Sequence, residues 1–211
     1  MDLEKVDIIK DYLEYKGWTD SEIERFIYNE NIDESYKKII EERAQIDIKN
    51  RIKNSLRAFI IGDALGVPFE SQWGGTFKCT GFVGGGIHQK EAGTWSDDTS
   101  IMLCLLDALN KTKNMRSAVE LLKKNLKDWY YDGKFTADGD TFDVGRQTAA
   151  AIECDFRNDR LTDRMGNGAL FYTPIVFHFL YREFKIRDFA QFSRVTHNSE
   201  KCFYFGQGKR I

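Results

Sequence analysis

Apolar residues recur at helical spacing along most of this 211-residue chain, with only two prolines to interrupt them, and no segment shows the strict alternation of a half-buried strand. Val6, Ile9 and Leu13 lie on one helical face that runs up to Gly17, a suitable residue just past a helix end. Thr19 to Glu22 then spell a capping box, with Trp18 and Ile23 placed as its hydrophobic staple. A third helix is expected over 33–47, with Asp33 as N-cap and Tyr36, Ile39, Ile40 and Ala44 on its apolar side. Further helices are expected over 97–111, 115–131, 145–153, 174–184 and 187–197, the fourth opened by Thr173 and Pro174. The fold class that follows is all-α.

A chain of this length can bury roughly 70% of its unfolded surface, so a core is available without disulfides or structural metal. Cys79, Cys104, Cys154 and Cys202 are widely separated and read as buried free thiols. Charge divides unevenly. Residues 1–50 carry 14 acidic and 8 basic side chains, whereas the rest carries 19 acidic and 23 basic. Residues 1–48 therefore read as an acidic helical extension, and 49–211 as the main domain. The extension suits a docking arm, a cap over a neighbouring site, or an accessory packing element. The near-neutral total, −2, argues against nucleic acid as a partner. A mixed-charge N-terminus and the lack of an 18-residue apolar run argue against a membrane partner and give a cytoplasmic expectation.

Chemistry-bearing residues cluster in five places. Ser96, Asp97 and Asp98 stand at the start of the apolar helix from Ile101 onward, where an acid can cap free amides and is favoured by the helix dipole. Two vicinal carboxylates flanked by hydroxyls also suit Mg²⁺ or Mn²⁺. Gly62 to Glu70 combine small residues with a forced turn at Pro68. Phe142 to Thr148 include Asp143, and Gly166-Asn167-Gly168-Ala169-Leu170 form a glycine loop that serves as a turn or as a phosphate cradle. His197 follows Thr196 near a helix end, a capping or core position.

In this order, G-D-A-L-G-x-P-x-E, W-S-D-D-T, F-D-x-G, G-N-G-A-L and T-H resemble the ADP-ribosylglycohydrolase family over roughly residues 51–200. The resemblance implies an all-α hydrolase that cleaves the glycosidic bond between ADP-ribose and a protein side chain or small acceptor, using two Mg²⁺ or Mn²⁺ ions. By motif, Ser96, Asp97 and Asp98 would be metal ligands, and Asp97 and Asp98 would share the catalytic role with Glu70, the nominated general base. Asp143 would lie near the distal ribose, Gly166, Asn167, Gly168, Ala169 and Leu170 would receive the diphosphate, and His197 would face the ribose.

Two departures from the family pattern stand out. Phe171-Tyr172 replace a Met-Arg pair after the glycine loop, and the chain ends at Ile211 before the family's G-D-x-D-T element. The resemblance thus implies a C-terminally truncated member with an incomplete second metal site. Alternative readings are a non-catalytic ADP-ribose binder, an immunity-type protein that antagonises an ADP-ribosyltransferase through the extension, or an inactive family member.

Overall fold

The computed structural model describes residues 3–15, 17–29, 32–157, 166–172 and 186–199, and its described elements are helical. The chain divides into two compact units, Met1–Lys53 and Asn54–Ile211.

In the first unit, α1 (Leu3–Tyr15) and α2 (Asp20–Asn29) form a hairpin. Gly17 takes a left-handed φ of 85°, and the Trp18 amide donates to the Leu13 carbonyl, closing the end of α1. Val6, Ile9 and Leu13 are buried as their spacing requires, with Ile9 joining Tyr12, Leu13, Ile23 and Ile39 in a small core. The capping box is half formed. Glu22 accepts from the Thr19 amide at 2.8 Å, but the Thr19 hydroxyl also donates to that carboxylate, at 2.7 Å. Trp18 sets its ring edge-on to Phe26, so the observed aromatic contact lies a turn beyond the expected partner Ile23.

Helix α3 runs from Ile32 to Gly66, far past the end expected near residue 47. No proline or glycine occurs between Ile32 and Ile61, so nothing in the sequence stops the helix there. Asp33 lies within the first turn, and Ile40, one residue round from buried Ile39, is exposed. The division between the two units falls inside this helix. It ends where Pro68 imposes a 3₁₀ turn over Val67–Phe69, because the residue before a proline disfavours the α region.

The core of the second unit is built around α4 (Asp97–Lys111), which packs along α5 (Met115–Asp132). Ile101, Met102, Leu105 and Ala108 of α4 and Leu122, Leu126 and Trp129 of α5 have almost no solvent exposure. Each of the buried isoleucine, leucine and methionine side chains contributes about 1.5–3 kcal/mol. Asn125, buried between them, donates to the Cys104 carbonyl and to Asp107. Ile152 of α6 (Arg146–Glu153), Tyr172 of the 3₁₀ helix Gly168–Tyr172, and Phe192 and Val195 of α7 (Ile186–Thr196) complete the cluster. The expected helix over 174–184 lies outside the described residues. Of the thiols, Cys104 is buried as expected, but Cys79 and Cys154 are exposed, and Cys202 lies outside the description. Cys79 sits on a long loop and Cys154 just past α6, where neither packs into the core. No helix among the described residues is long and apolar enough to cross a membrane.

Candidate active site

The segment between Phe69 and Asp97 has no regular element, yet it is pinned at several points. Gly85 and Lys90 form an isolated antiparallel bridge that closes a tight hairpin. Gly86, at φ 72°, lies so close to the backbone of Pro68 that a Cβ would stand 2.7 Å from its carbonyl oxygen, so a glycine is needed there. Lys90 pairs with Asp138 at 2.9 Å and Asp140 at 2.7 Å, and its ammonium stands 4.5 Å from the centre of the Phe142 ring. The hairpin thereby fixes the loop that carries Asp143. Asp140 belongs to this clamp.

Helix α4 begins at the chemically richest point of the chain. Ser96 is its N-cap and accepts from the Asp98 amide at 3.3 Å. The main cap is Asp63, from the last turn of α3. Its carboxylate accepts from the Ser96 hydroxyl at 2.7 Å, the Ser96 amide at 3.1 Å and the Thr99 amide at 3.0 Å. Sequence reasoning gave Asp63 no role. Its signal was an acid at the C-terminal end of its own helix, which the helix dipole disfavours unless another positive end receives it. Asp97, 6% exposed, points across to α6, where its carboxylate accepts from the amide of the N-cap Gly145 at 3.2 Å.

The structure brings Glu70, Asp97, Asp98 and Asp143 together with Asp63. Burial, then repulsion from Asp143, Asp63 and Glu70, pushes the Asp97 carboxyl up to about 7, opposed by the Gly145 amide. Burial and the neighbouring Asp97 push Asp98 up to about 8. Glu70 is also raised, chiefly by burial, while its hydrogen bond from His88 works the other way. Asp97 and Asp98, beside the Ser96 hydroxyl, are hard oxygen donors of the kind Mg²⁺ and Mn²⁺ take, whereas Asp63 is engaged by the cap. Asp143 holds a left-handed φ of 55°, a conformation that aspartate tolerates better than most residues. His88 is the second residue that sequence reasoning missed. Its Nε2 lies 2.5 Å from Glu70 Oε2 and 3.7 Å from Asp143 Oδ1.

Asp97 also borders a cavity of about 630 Å³, whose wall includes Gly166, Asn167, Gly168, Phe171 and His197. His197 is 2% exposed, and burial lowers its imidazole to about 4, so the ring is neutral near pH 7. The two glycines pack directly on this ring. A Cβ at Gly166 would stand 2.6 Å from His197 Nε2, and one at Gly168 2.8 Å from Cε1. The Gly166 amide donates to Gln147 Oε1 at 3.1 Å. Ala169 is buried and Leu170 half-buried in the following 3₁₀ helix, and neither lines the cavity. Phe171 lines it instead, set against Phe59, and Tyr172 sits wholly in the core. The aromatic pair at the Met-Arg position therefore supplies packing where arginine would supply charge.

A family model for ADP-ribosylglycohydrolase matches residues 44–207. The chain belongs to this family. It is 33% identical over 104 residues to an ADP-ribosylarginine hydrolase, Tri1, of Serratia proteamaculans, covering 49% of this chain and 28% of that protein. The protein of the same name in Pseudomonas putida is 35% identical over 104 residues, with the same coverage. The matched region thus spans little more than a quarter of these relatives. A solved structure titled as an ADP-ribosylglycohydrolase-related protein complex shares the fold, with a TM-score of 0.58 at 23% identity over 76% of this chain and 53% of that one. The all-α ADP-ribosylglycohydrolase-like fold expected from the motifs is the fold observed.

Proposed function

We propose that this chain carries the ADP-ribose-binding and cation-binding face of an ADP-ribosylarginine hydrolase, which cleaves the N-glycosidic bond between ADP-ribose and an arginine guanidinium. The observation that supports this most is the meeting of two features at one residue. Asp97 belongs both to the crowded carboxylate group and to the wall of the glycine-lined cavity. A cation held by Ser96, Asp97 and Asp98 would supply electrostatic stabilisation, orientation of ribose hydroxyls and a lowered water pKa. The relatives' name supports arginine as the acceptor.

In this reading Glu70 takes the proton of the attacking water, as its raised affinity for protons suits. Water adds at the anomeric carbon as the bond to the guanidinium nitrogen breaks, and the electron pair leaves with the guanidine. Asp143 stands next to Glu70 at the ribose end. The neutral His197 ring gives the Gly166–Gly168 loop a flat support, and that loop receives the diphosphate beside the cavity. The Gly145 amide fixes the orientation of the Asp97 carboxylate between α4 and α6.

The test is Mg²⁺-dependent release of ADP-ribose from an ADP-ribosylated arginine substrate, compared between the wild type and Asp97→Asn. The variant should lose turnover, and turnover surviving it would defeat the proposal. A second readout needs no turnover. ADP-ribose at 100 times its dissociation constant should stabilise the fold by about 2.7 kcal/mol, and a ligand-insensitive melt would count equally against the reading.

A further inference from the structure

We propose that Glu70, His88 and Asp143 form a separate binding site for a borderline divalent cation, Zn²⁺ being the best match, beside the all-oxygen donors Ser96, Asp97 and Asp98. One ligand atom from each of the three lies within 4.8 Å of the other two. The donor set is one imidazole nitrogen and two carboxylates, three protein ligands with room for a fourth from solvent. Imidazole favours Zn²⁺ over Mg²⁺, and three such ligands with an open position suit a four-coordinate ion. Ligands about 2.0–2.2 Å from a tetrahedral zinc stand roughly 3.4 Å from one another. The 3.7 Å between His88 and Asp143 is close to that already. The 2.5 Å between His88 and Glu70 must open by about 1 Å, which a side-chain rotation can supply.

The three ligands come from three segments held in place independently. Glu70 follows the Pro68 turn, against which Gly86 is wedged. His88 is at the tip of the hairpin closed by Gly85 and Lys90, with its ring 5.0 Å from Phe142. Asp143 sits on the loop that Lys90 clamps through Asp138 and Asp140. Such prior positioning lowers the cost of assembling the site on binding. One consequence rests on the function proposed above. A cation here engages Glu70 and Asp143, so Zn²⁺ suppresses the Mg²⁺-supported hydrolysis.

The experiment is Zn²⁺ titration of the purified chain against a chromophoric chelator, repeated with His88→Ala, Asp143→Asn and Asp97→Asn. One equivalent should bind to the wild type. His88→Ala should weaken binding by more than the 10–100-fold typical of losing an outer-shell partner. Asp143→Asn, at an exposed position whose left-handed backbone asparagine tolerates, should weaken it without threatening the fold, while Asp97→Asn keeps it. Co²⁺ substitution should give a spectrum without a thiolate charge-transfer band, which separates this site from the exposed Cys79 and Cys154. No binding by folded wild type, equal binding by His88→Ala and Asp143→Asn, loss in Asp97→Asn alone, or a thiolate band would each overturn the proposal. Since the readout is binding, it stands or falls separately from hydrolysis.

Discussion

Asp98→Asn is expected to stabilise the cation-free protein at pH 8 while removing its response to Mg²⁺. The Asp98 carboxyl is lifted from 3.8 to about 8 by burial and by Asp97, Asp63, Asp143 and Glu70. A carboxyl raised in the folded state binds its proton more tightly folded than unfolded. Its contribution is therefore most favourable below pH 4 and declines as pH rises towards 8, where the raised group ionises. At about 1.4 kcal/mol per pKa unit, the full shift sets a ceiling of about 6 kcal/mol. Mutual repulsion is shared with Asp97, and solvent reaches part of the group, so we take about 2–4 kcal/mol. In a domain of this size that corresponds to roughly 4–16 °C in melting temperature. The assay is thermal or urea unfolding at pH 5 and pH 8 with EDTA, then with Mg²⁺. Wild type should lose stability between the two pH values and regain it with Mg²⁺, whereas Asp98→Asn should show a flatter pH dependence and little gain. A wild type equally stable at both pH values in EDTA would refute the reasoning.

Two further substitutions separate the parts of the site. Asp63→Ala removes the acceptor for the Ser96 hydroxyl and two amides at the start of α4, and should cost about 1–2 kcal/mol in denaturant unfolding at any cation concentration. Unchanged stability would mean that Ser96 alone caps the helix. Gly166→Ala drives a methyl group against the His197 ring and should cost about 1–3 kcal/mol and weaken ADP-ribose binding measured by calorimetry. Wild-type values for both would show that the loop moves freely off the ring.

The helices were legible in the sequence because their signals are local. Ser96 before an apolar run opens α4, and in the structure Asn114 caps α5 and Gly133 closes it, close to the expected 115–131. The length of α3 was not legible by the same logic. Apolar residues continue at helical spacing through Ile48, Ile52, Leu56, Phe59 and Ile60, and with no breaker between them the backbone runs on as one helix. The motif residues Glu70, Asp97, Asp98 and Asp143 were individually visible, but Asp63, His88 and Lys90 acquire their roles only through distant partners. Asp63 meets Ser96 across 33 residues, and Lys90 meets Asp140 across 50. No spacing rule connects such pairs. The three thiols that are described show the opposite failing, since a rule about average burial held for Cys104 alone.

The start of α4 is where folding and chemistry compete for the same atoms. A helix N-terminus of this length needs about one capping carboxylate, and Asp63 with Ser96 meets that need. Asp97 has a second structural use in orienting α6 through Gly145. Asp98 has neither, yet it sits half-buried among like charges at an energetic cost that a helix cap does not justify. On the cation-binding reading proposed above, positive charge at the carboxylate pair offsets that cost. On that reading the raised-carboxyl pH dependence of stability, the Mg²⁺ response and turnover should all be lost together when the Asp97–Asp98 pair is neutralised, while the Asp63 cap and the hydrophobic contacts of α4 and α5 hold the fold.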